Sequence, residues 1–287
     1  MSFATNHLRI GVPSKGRLSE LATELLFQGG LNFRRQDRTL FARVHSLPVD
    51  IIFLRTDDIP TLCAEGAIDL GITGSDLVEE AGADVQVRMA LGVGRCRLSI
   101  CVPIQSDIHA PGDLKGKRIA TSFPNATARF LEQHDAPVHL VKLNGSVEIM
   151  ISLGVADAVV DLVETGSTLA ANNLRILTDI GSYETVLIQS PACRDIATAD
   201  RIVRRLEGVV IARDYSLLEY NIPSDKLGDA EKVTPGFTSP TVTALEDRSW
   251  FAVRAMVKSK EVISIMEKLE ALGAKAILET SINNCRL

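Results

Sequence analysis

Between Asp157 and Thr168 the chain reads DAVVDLVETGST. A strand-like apolar run carries two aspartates and a glutamate, then stops at Thr165-Gly166-Ser167-Thr168. The following LAANN continues in a helix-forming pattern. Backbone N–H groups at a helix start lack internal partners and carry partial positive charge. A glycine lets a phosphate approach the backbone, and hydroxyls add donors. Thr165, Gly166, Ser167 and Thr168 therefore suit a phosphate monoester. Asp161 and Glu164 beside them can accept hydrogen bonds from ribose hydroxyls, and Glu164 can help hold a metal. The plainer alternative makes Thr165 an N-cap and leaves the acids solvated.

Two further strand-to-helix turns carry similar chemistry. PSKGRLS (13–19) holds Gly16 between Lys15 and Arg17, two cations at a helix start that suit a polyphosphate. GITGSD (71–76) offers Thr73, Gly74, Ser75 and Asp76; its alternative is a tight turn in which Ser75 or Asp76 caps a helix. Arg55 closes VDIIFLR and faces the same strand-end crevice if the sheet is open and parallel, which is where such folds bind ligands.

These turns need an alternating α/β frame. LRIGVP (8–13), VDIIFLR (49–55) and IDLGIT (68–73) read as strands, with Leu18, Leu21, Leu25 and Leu26 at helical spacing between the first two. A second α/β unit begins near Leu98, with strands at 97–103, 117–122, 138–143 and 157–163 and helical stretches near 124–134 and 145–154. LRILTDI (174–180) and TVLIQS (185–190) follow. Residues 199–220 read as one long helix, with the chain returning to the first domain. NIPSDKLGDAEKVTPGFTSP (221–240) looks like a junction. A small β-α-β unit closes the chain, with Gly273 at its helix C′ position.

Bulk properties narrow the function. With 287 residues the chain exceeds one ordinary core, so two or three domains are expected. A net charge of −5 argues against a nucleic-acid binder and leaves room only for local basic sites. Five scattered cysteines, with no CxxC, read as free thiols in a reducing compartment rather than as a zinc site. No apolar run reaches membrane-span length and the N-terminus lacks a signal-like core, so a soluble cytoplasmic protein without membrane partners is expected. GVGRCR (92–97) lacks the third glycine of a dinucleotide fingerprint, GDLKGKR (112–118) lacks Walker spacing, and no HExxH or GxSxG is present.

PSKGRL, GITGSD, IATSFPNATARFL, NGSVE, DAVVDLVETGSTLAANNL, TPGFTSPTV, LGAKAIL and the terminal NCRL occur in this order. Together they resemble the ATP phosphoribosyltransferases of histidine biosynthesis, in the long form. One departure from other phosphoribosyltransferases is Val160, where a double acid is usual before T-G-x-T.

The resemblance implies two type II periplasmic-binding-protein-like domains around a cleft, plus a small ACT-like, ferredoxin-like regulatory domain. Catalytic domain I would span 1–97 plus 185–213, domain II 98–184 with the phosphoribosyl pyrophosphate loop, and the histidine-binding domain 214–287. It implies Mg2+ dependence, homo-oligomers (dimers and hexamers), ATP and phosphoribosyl pyrophosphate as substrates, and histidine as inhibitor. Asp161, Glu164 and Thr165 to Thr168 would bind phosphoribosyl pyrophosphate. Lys15, Gly16, Arg17 and Arg55 would handle ATP phosphates or the departing pyrophosphate, and Thr73, Gly74 and Asp76 would border the nucleotide. Glu148 would approach the same cleft. Asp161 and Glu164 would hold the metal, unless substrate oxygens alone hold it. Histidine would lie near Asn221, Thr241, Met256 and Ala276. The alternatives are a non-catalytic receptor on the same scaffold and a phosphoribosyltransferase with another acceptor. The receptor reading predicts a secretion signal and leaves the acids beside TGST unexplained.

Overall fold

A computed structural model describes residues 6–36, 39–164 and 166–286. Two compact units divide the chain: Met1–Thr23 with Asn32–Ala199, and Glu24–Leu31 with Asp200–Leu287.

The first unit contains two sheets. One orders the strands Phe41–Arg43, Val49–Leu54, Leu8–Pro13, Leu70–Gly74, Thr185–Gln189 and Gln86–Ala90. Its centre is parallel, with Ile10 level with both Ile51 and Leu70, whereas Thr185–Gln189 runs antiparallel to Leu70–Gly74. The second sheet orders Leu174–Tyr183, Cys96–Pro103, Ala158–Val163, Arg118–Thr121 and His139–Lys142. The chain crosses between the sheets twice, near Leu91–Arg95 and at Glu184. The crossings are tied by Leu91 N–H to Thr185 O (2.9 Å) and Thr185 N–H to Val93 O (3.0 Å). This is the expected pair of α/β lobes around a cleft.

Strand Ala158–Val163 is buried on both faces over residues 158–160. Val160 packs with Leu98, Ile100 and Ile119 on one side, and Val159 with Cys101 and Ala120 on the other. Burial of both faces explains an unbroken apolar run where a half-exposed strand would alternate. The two aspartates sit at opposite ends of it. Asp157 accepts from the Arg118 amide (2.9 Å) and from Arg118 Nη2 (2.9 Å), and this pairing holds its carboxyl below the usual range. Its task is structural. Asp161 is half-buried at the carboxyl end, level with Ser99.

The second unit departs from expectation. The residues read as one helix over 199–220 form the helix Ile196–Arg213 and then the strand Tyr215–Pro223, whose side chains alternate between half-exposed and buried. The proposed junction holds a short helix, Leu227–Val233. With strands Thr241–Ala244, Trp250–Lys258 and Lys275–Ser281 and helix Val262–Ala271, the C-terminal part is βαββαβ. Its sheet is antiparallel throughout, in the order Thr241–Ala244, Trp250–Lys258, Tyr215–Pro223, Lys275–Ser281. That is a ferredoxin-like topology, with Leu218, Tyr220, Ile222, Val253, Val262 and Leu269 as its core. Gly273 follows the last helix at φ 91°, the left-handed C′ position expected for it.

Candidate active site

The strand-to-helix turns singled out in the sequence meet at a cavity of about 630 Å³ between the two lobes of the first unit. From one lobe come Arg17, Thr56, Gly74 and Asp76. From the other come Glu148, Asp161, Glu164, Gly166 and Thr168.

Gly166 stands at φ 79°, ψ 3°, as N-cap of the short helix Ser167–Ala171. A Cβ there would touch nothing within 4 Å, so glycine is required by backbone conformation and not by crowding. Thr168 is exposed beside it. Thr165 lies outside the described residues. Asp161 accepts its neighbour's amide, Leu162 N–H to Oδ1, at 2.8 Å. Burial nevertheless raises its carboxyl above the ordinary value, and the nearby Glu148 adds to the rise.

Across the cavity, Asp76 is 7% exposed in the first turn of helix Ser75–Ala81. Burial is the main cause raising its carboxyl, opposed by the amides of Leu77 and Asp76 itself, with Asp57 adding to the rise. Gly74 has an ordinary φ of −80°, but a Cβ there would lie 2.0 Å from Asp76 Oδ1. Here glycine answers a side chain's position. Thr73 is fully buried and donates to Thr56 O at 3.2 Å, so it braces the next turn and does not line the cavity. Arg17 reaches Glu164 over the opening, Nη1 to Oε2 3.8 Å, both well exposed. Exposed pairs of this kind contribute little, roughly 0–1 kcal/mol, and an anionic ligand can take Arg17 readily.

Lys15 and Arg55 meet in an adjoining cavity of about 520 Å³ with Ser14, Asp57 and Asn144. Thr56 lines both cavities. Gly16, between the two cations Lys15 and Arg17, is at φ 82°. The main cavity thus has four carboxylates facing it and one guanidinium, while its neighbour gathers two cations.

In the second unit, Asn221, Thr241 and Ala276 line a separate cavity of about 480 Å³; Met256 is not among its lining residues. Ala276 is at φ 51°, and the pairing of Tyr215–Pro223 with Lys275–Ser281 shifts register beside it, between Glu219 and Asn221. Arg254 and Glu219 pair at the same cavity, Nε to Oε1 2.8 Å.

Residues 55–208 match the ATP phosphoribosyltransferase family, and residues 212–284 match the family described as HisG, C-terminal domain. The chain is 67% identical over 280 residues to an ATP phosphoribosyltransferase of Rhodopirellula baltica, covering 98% of this chain and 94% of that one. The chain belongs to the ATP phosphoribosyltransferase family. It is 42% identical to the Saccharopolyspora erythraea member, covering 98% of this chain and all of that one. Among solved structures, the ATP phosphoribosyl transferase (HisG:HisZ) complex from Thermotoga maritima matches with a TM-score of 0.61 at 28% identity. It covers 70% of this chain and 98% of that one. A structure described as Tv2483 bound to L-arginine matches with a TM-score of 0.50 at 16% identity, over 70% and 83% of the two chains, and speaks to fold alone. The activity is that of an ATP phosphoribosyltransferase in histidine biosynthesis, which has ATP and phosphoribosyl pyrophosphate as substrates.

Members of the ATP phosphoribosyltransferase family use a metal ion. Among the described residues no three His, Cys, Asp or Glu gather into a ready-made metal site. The donor set still fits one: Asp161 and Glu164 both line the cavity as oxygen donors, and burial, with Glu148 nearby, raises the Asp161 carboxyl, a cost that a divalent cation would relieve. Among the described residues no helix is long and apolar enough to cross a membrane.

Several cavity residues escaped the sequence reading. Leu18 and Leu21 have ordinary core spacing, yet they are half-buried and face the cavity, as does exposed Leu162. Cys96, also in the cavity, has its thiol pushed up to about 11, by burial first and by Asp76 and Glu164 next. Gly94 and Thr185 line the cavity from the two crossing segments. No local motif marks any of them.

Proposed function

We propose that the cavity between the lobes is where phosphoribosyl pyrophosphate and ATP react. The 5-phosphate sits on the turn of Thr165, Gly166, Ser167 and Thr168, and Asp161 and Glu164 take the ribose hydroxyls. Lys15, Gly16, Arg17 and Arg55 receive the ATP phosphates or the departing pyrophosphate, with Gly74 and Asp76 beside the nucleotide and Thr73 bracing the turn. The observation that carries this reading is the left-handed Gly166 turn opening onto the same cavity as Arg17, next to the Lys15–Arg55 recess.

The bond that forms joins adenine N1 to the ribose C1, and the bond that breaks is C1 to pyrophosphate oxygen. N1 has a free lone pair, so no side chain must remove a proton before attack. The anomeric carbon gains positive character as pyrophosphate leaves, and Asp161 and Glu148, both lining the cavity, would face that charge. Lys15, Arg17 and Arg55 answer the negative charge growing on the leaving group. Asp161 and Glu164, together with substrate oxygens, would hold Mg2+, which would supply further neutralisation of pyrophosphate. Leu18, Leu21 and Leu162 offer apolar surface to a flat base, and alignment of N1 with C1 supplies much of the remaining acceleration.

On the same reading, domain I is 1–97 with 185–213, domain II is 98–184, and 214–287 binds histidine at Asn221, Thr241 and Ala276 as a feedback inhibitor, with Met256 nearby. The enzyme acts as a homo-oligomer in the cytoplasm; its free cysteines suit a reducing compartment. The test is a spectroscopic assay of the purified chain with ATP, phosphoribosyl pyrophosphate and Mg2+. Phosphoribosyl-ATP should form, and its formation should fall at least about tenfold in R17A, K15A and R55A, since each removes a charge-assisted contact. Unchanged rates in all three would refute the placement of the site.

A further inference from the structure

Helix Ser75–Ala81 brings Asp76 and Leu77 to the cavity, and it also binds the second lobe and one of the crossings. At its start, Ser75 N–H donates to Glu184 O (2.9 Å), and Glu184 N–H donates back to Ser75 Oγ (3.1 Å), at one of the two crossings between lobes. Leu77 packs against the core of the second lobe. At its end, two glutamates grip that lobe directly. Glu79 Oε2 accepts from Tyr183 OH (2.9 Å), and Arg129 Nη2 donates to Glu79 O (2.9 Å).

Glu80 makes the more specific contact. Helix Pro124–Glu132 of the second lobe starts at Phe123, which supplies no side-chain cap. Pro124 has no N–H, and Thr127 N–H already donates to Phe123 O (3.0 Å), so Asn125 and Ala126 hold the amides left over at this end. Glu80 takes both: Asn125 N–H to Oε1 and Ala126 N–H to Oε2, each 2.9 Å. Asn125 Nδ2 closes the contact by donating to Glu80 O, also at 2.9 Å. A carboxylate from one lobe thus caps a helix of the other, one helical turn from Asp76.

We propose that Glu80 is a positioning residue for the transfer reaction: by capping the opposing lobe's helix it sets the width of the cleft, and so the alignment of the nucleotide with the ribose C1. Glu80 touches neither substrate. Each half of the site keeps its own residues when the cap is lost; only their relative placement changes. The proposal rests on the reading of the cleft as the substrate site.

The test is E80A and E80Q, with kcat, both KM values, and hydrogen exchange of the Asn125 and Ala126 amides in the full-length protein. Misalignment by a fraction of an ångström to an ångström costs rate more than affinity, so E80A should lose about ten- to a hundredfold in kcat while each KM moves less than about threefold. E80Q keeps one acceptor oxygen and should fall between E80A and wild type. Exchange at Asn125 and Ala126 should speed up in E80A while strand Cys96–Pro103 stays protected. Faster exchange with a wild-type kcat, or a loss confined to KM, overturns the proposal. If E80A does not fold, E80Q decides alone: a wild-type kcat with faster exchange at Asn125 or Ala126 overturns it. Exchange reports the cap wherever the substrates bind, so failure of the cap and failure of the site assignment are separately visible.

Discussion

Gly166 and Gly74 are both glycines at strand-to-helix turns, but for different reasons, and replacing each by alanine separates the two halves of the site. At Gly166 the backbone is left-handed, φ 79°, and an added Cβ would meet nothing within 4 Å. The cost to alanine is conformational, about 1–2 kcal/mol. The turn is short and partly exposed, so without ligand it can relax; the cost then falls on binding, where the amides must face the phosphate. That corresponds to a loss of about 5–30-fold in kcat/KM for phosphoribosyl pyrophosphate. At Gly74, φ −80° and ψ 142° suit alanine, but the new Cβ would lie 2.0 Å from Asp76 Oδ1. Asp76 must turn away, so G74A should act on ATP. Initial rates with each substrate varied against saturating amounts of the other measure both. The expected pattern is crossed: G166A lowers kcat/KM for phosphoribosyl pyrophosphate and leaves KM for ATP within about twofold, and G74A does the reverse, since the two costs arise on opposite sides of the cavity. Equal effects of G166A on both substrates, or none on either, would refute the reasoning.

Other outcomes follow from the same geometry. Burial raises the Asp76 carboxyl above its ordinary 3.8, so ionising it in the folded protein costs stability once pH rises above that value. D76N should melt higher than wild type at pH 7, with the difference closing as pH falls toward 3.8; a lower melting temperature at pH 7 would contradict the burial argument. Chelation of divalent cations should abolish phosphoribosyl-ATP formation and added Mg2+ should restore it, with residual activity in chelator counting against a metal-assisted departure. Ending the chain at Arg213, before strand Tyr215–Pro223, should remove inhibition by histidine, measured as rate against histidine concentration; persistent inhibition would place the effector outside 214–287.

Much of the cavity between the lobes was legible because its parts are local. A buried strand, a glycine and a helix start fall within a dozen residues at 157–168 and again at 8–19, and the chemistry of a strand-end turn depends on little else. The C-terminal unit was harder. Tyr215–Pro223 carries Leu217 next to Leu218 and buries Ser216, which blurs the alternation of a strand and lets the preceding helical period run on. Short edge strands such as Phe41–Arg43 and Gln86–Ala90 gain their form from a neighbour, not from their own pattern. Glu80 was invisible for the same reason: its partners are 45 and 46 positions away. In EEAG it looks like any solvated acid near a helix end.

The central claim is that the backbone at Gly166 holds the sugar phosphate. A crystal structure of the protein grown with phosphoribosyl pyrophosphate tests it most directly. The 5-phosphate should lie within hydrogen-bonding distance of the amides that follow Gly166, with its ribose toward Asp161. Clear density for the compound in another cavity, with this turn unliganded, would contradict it.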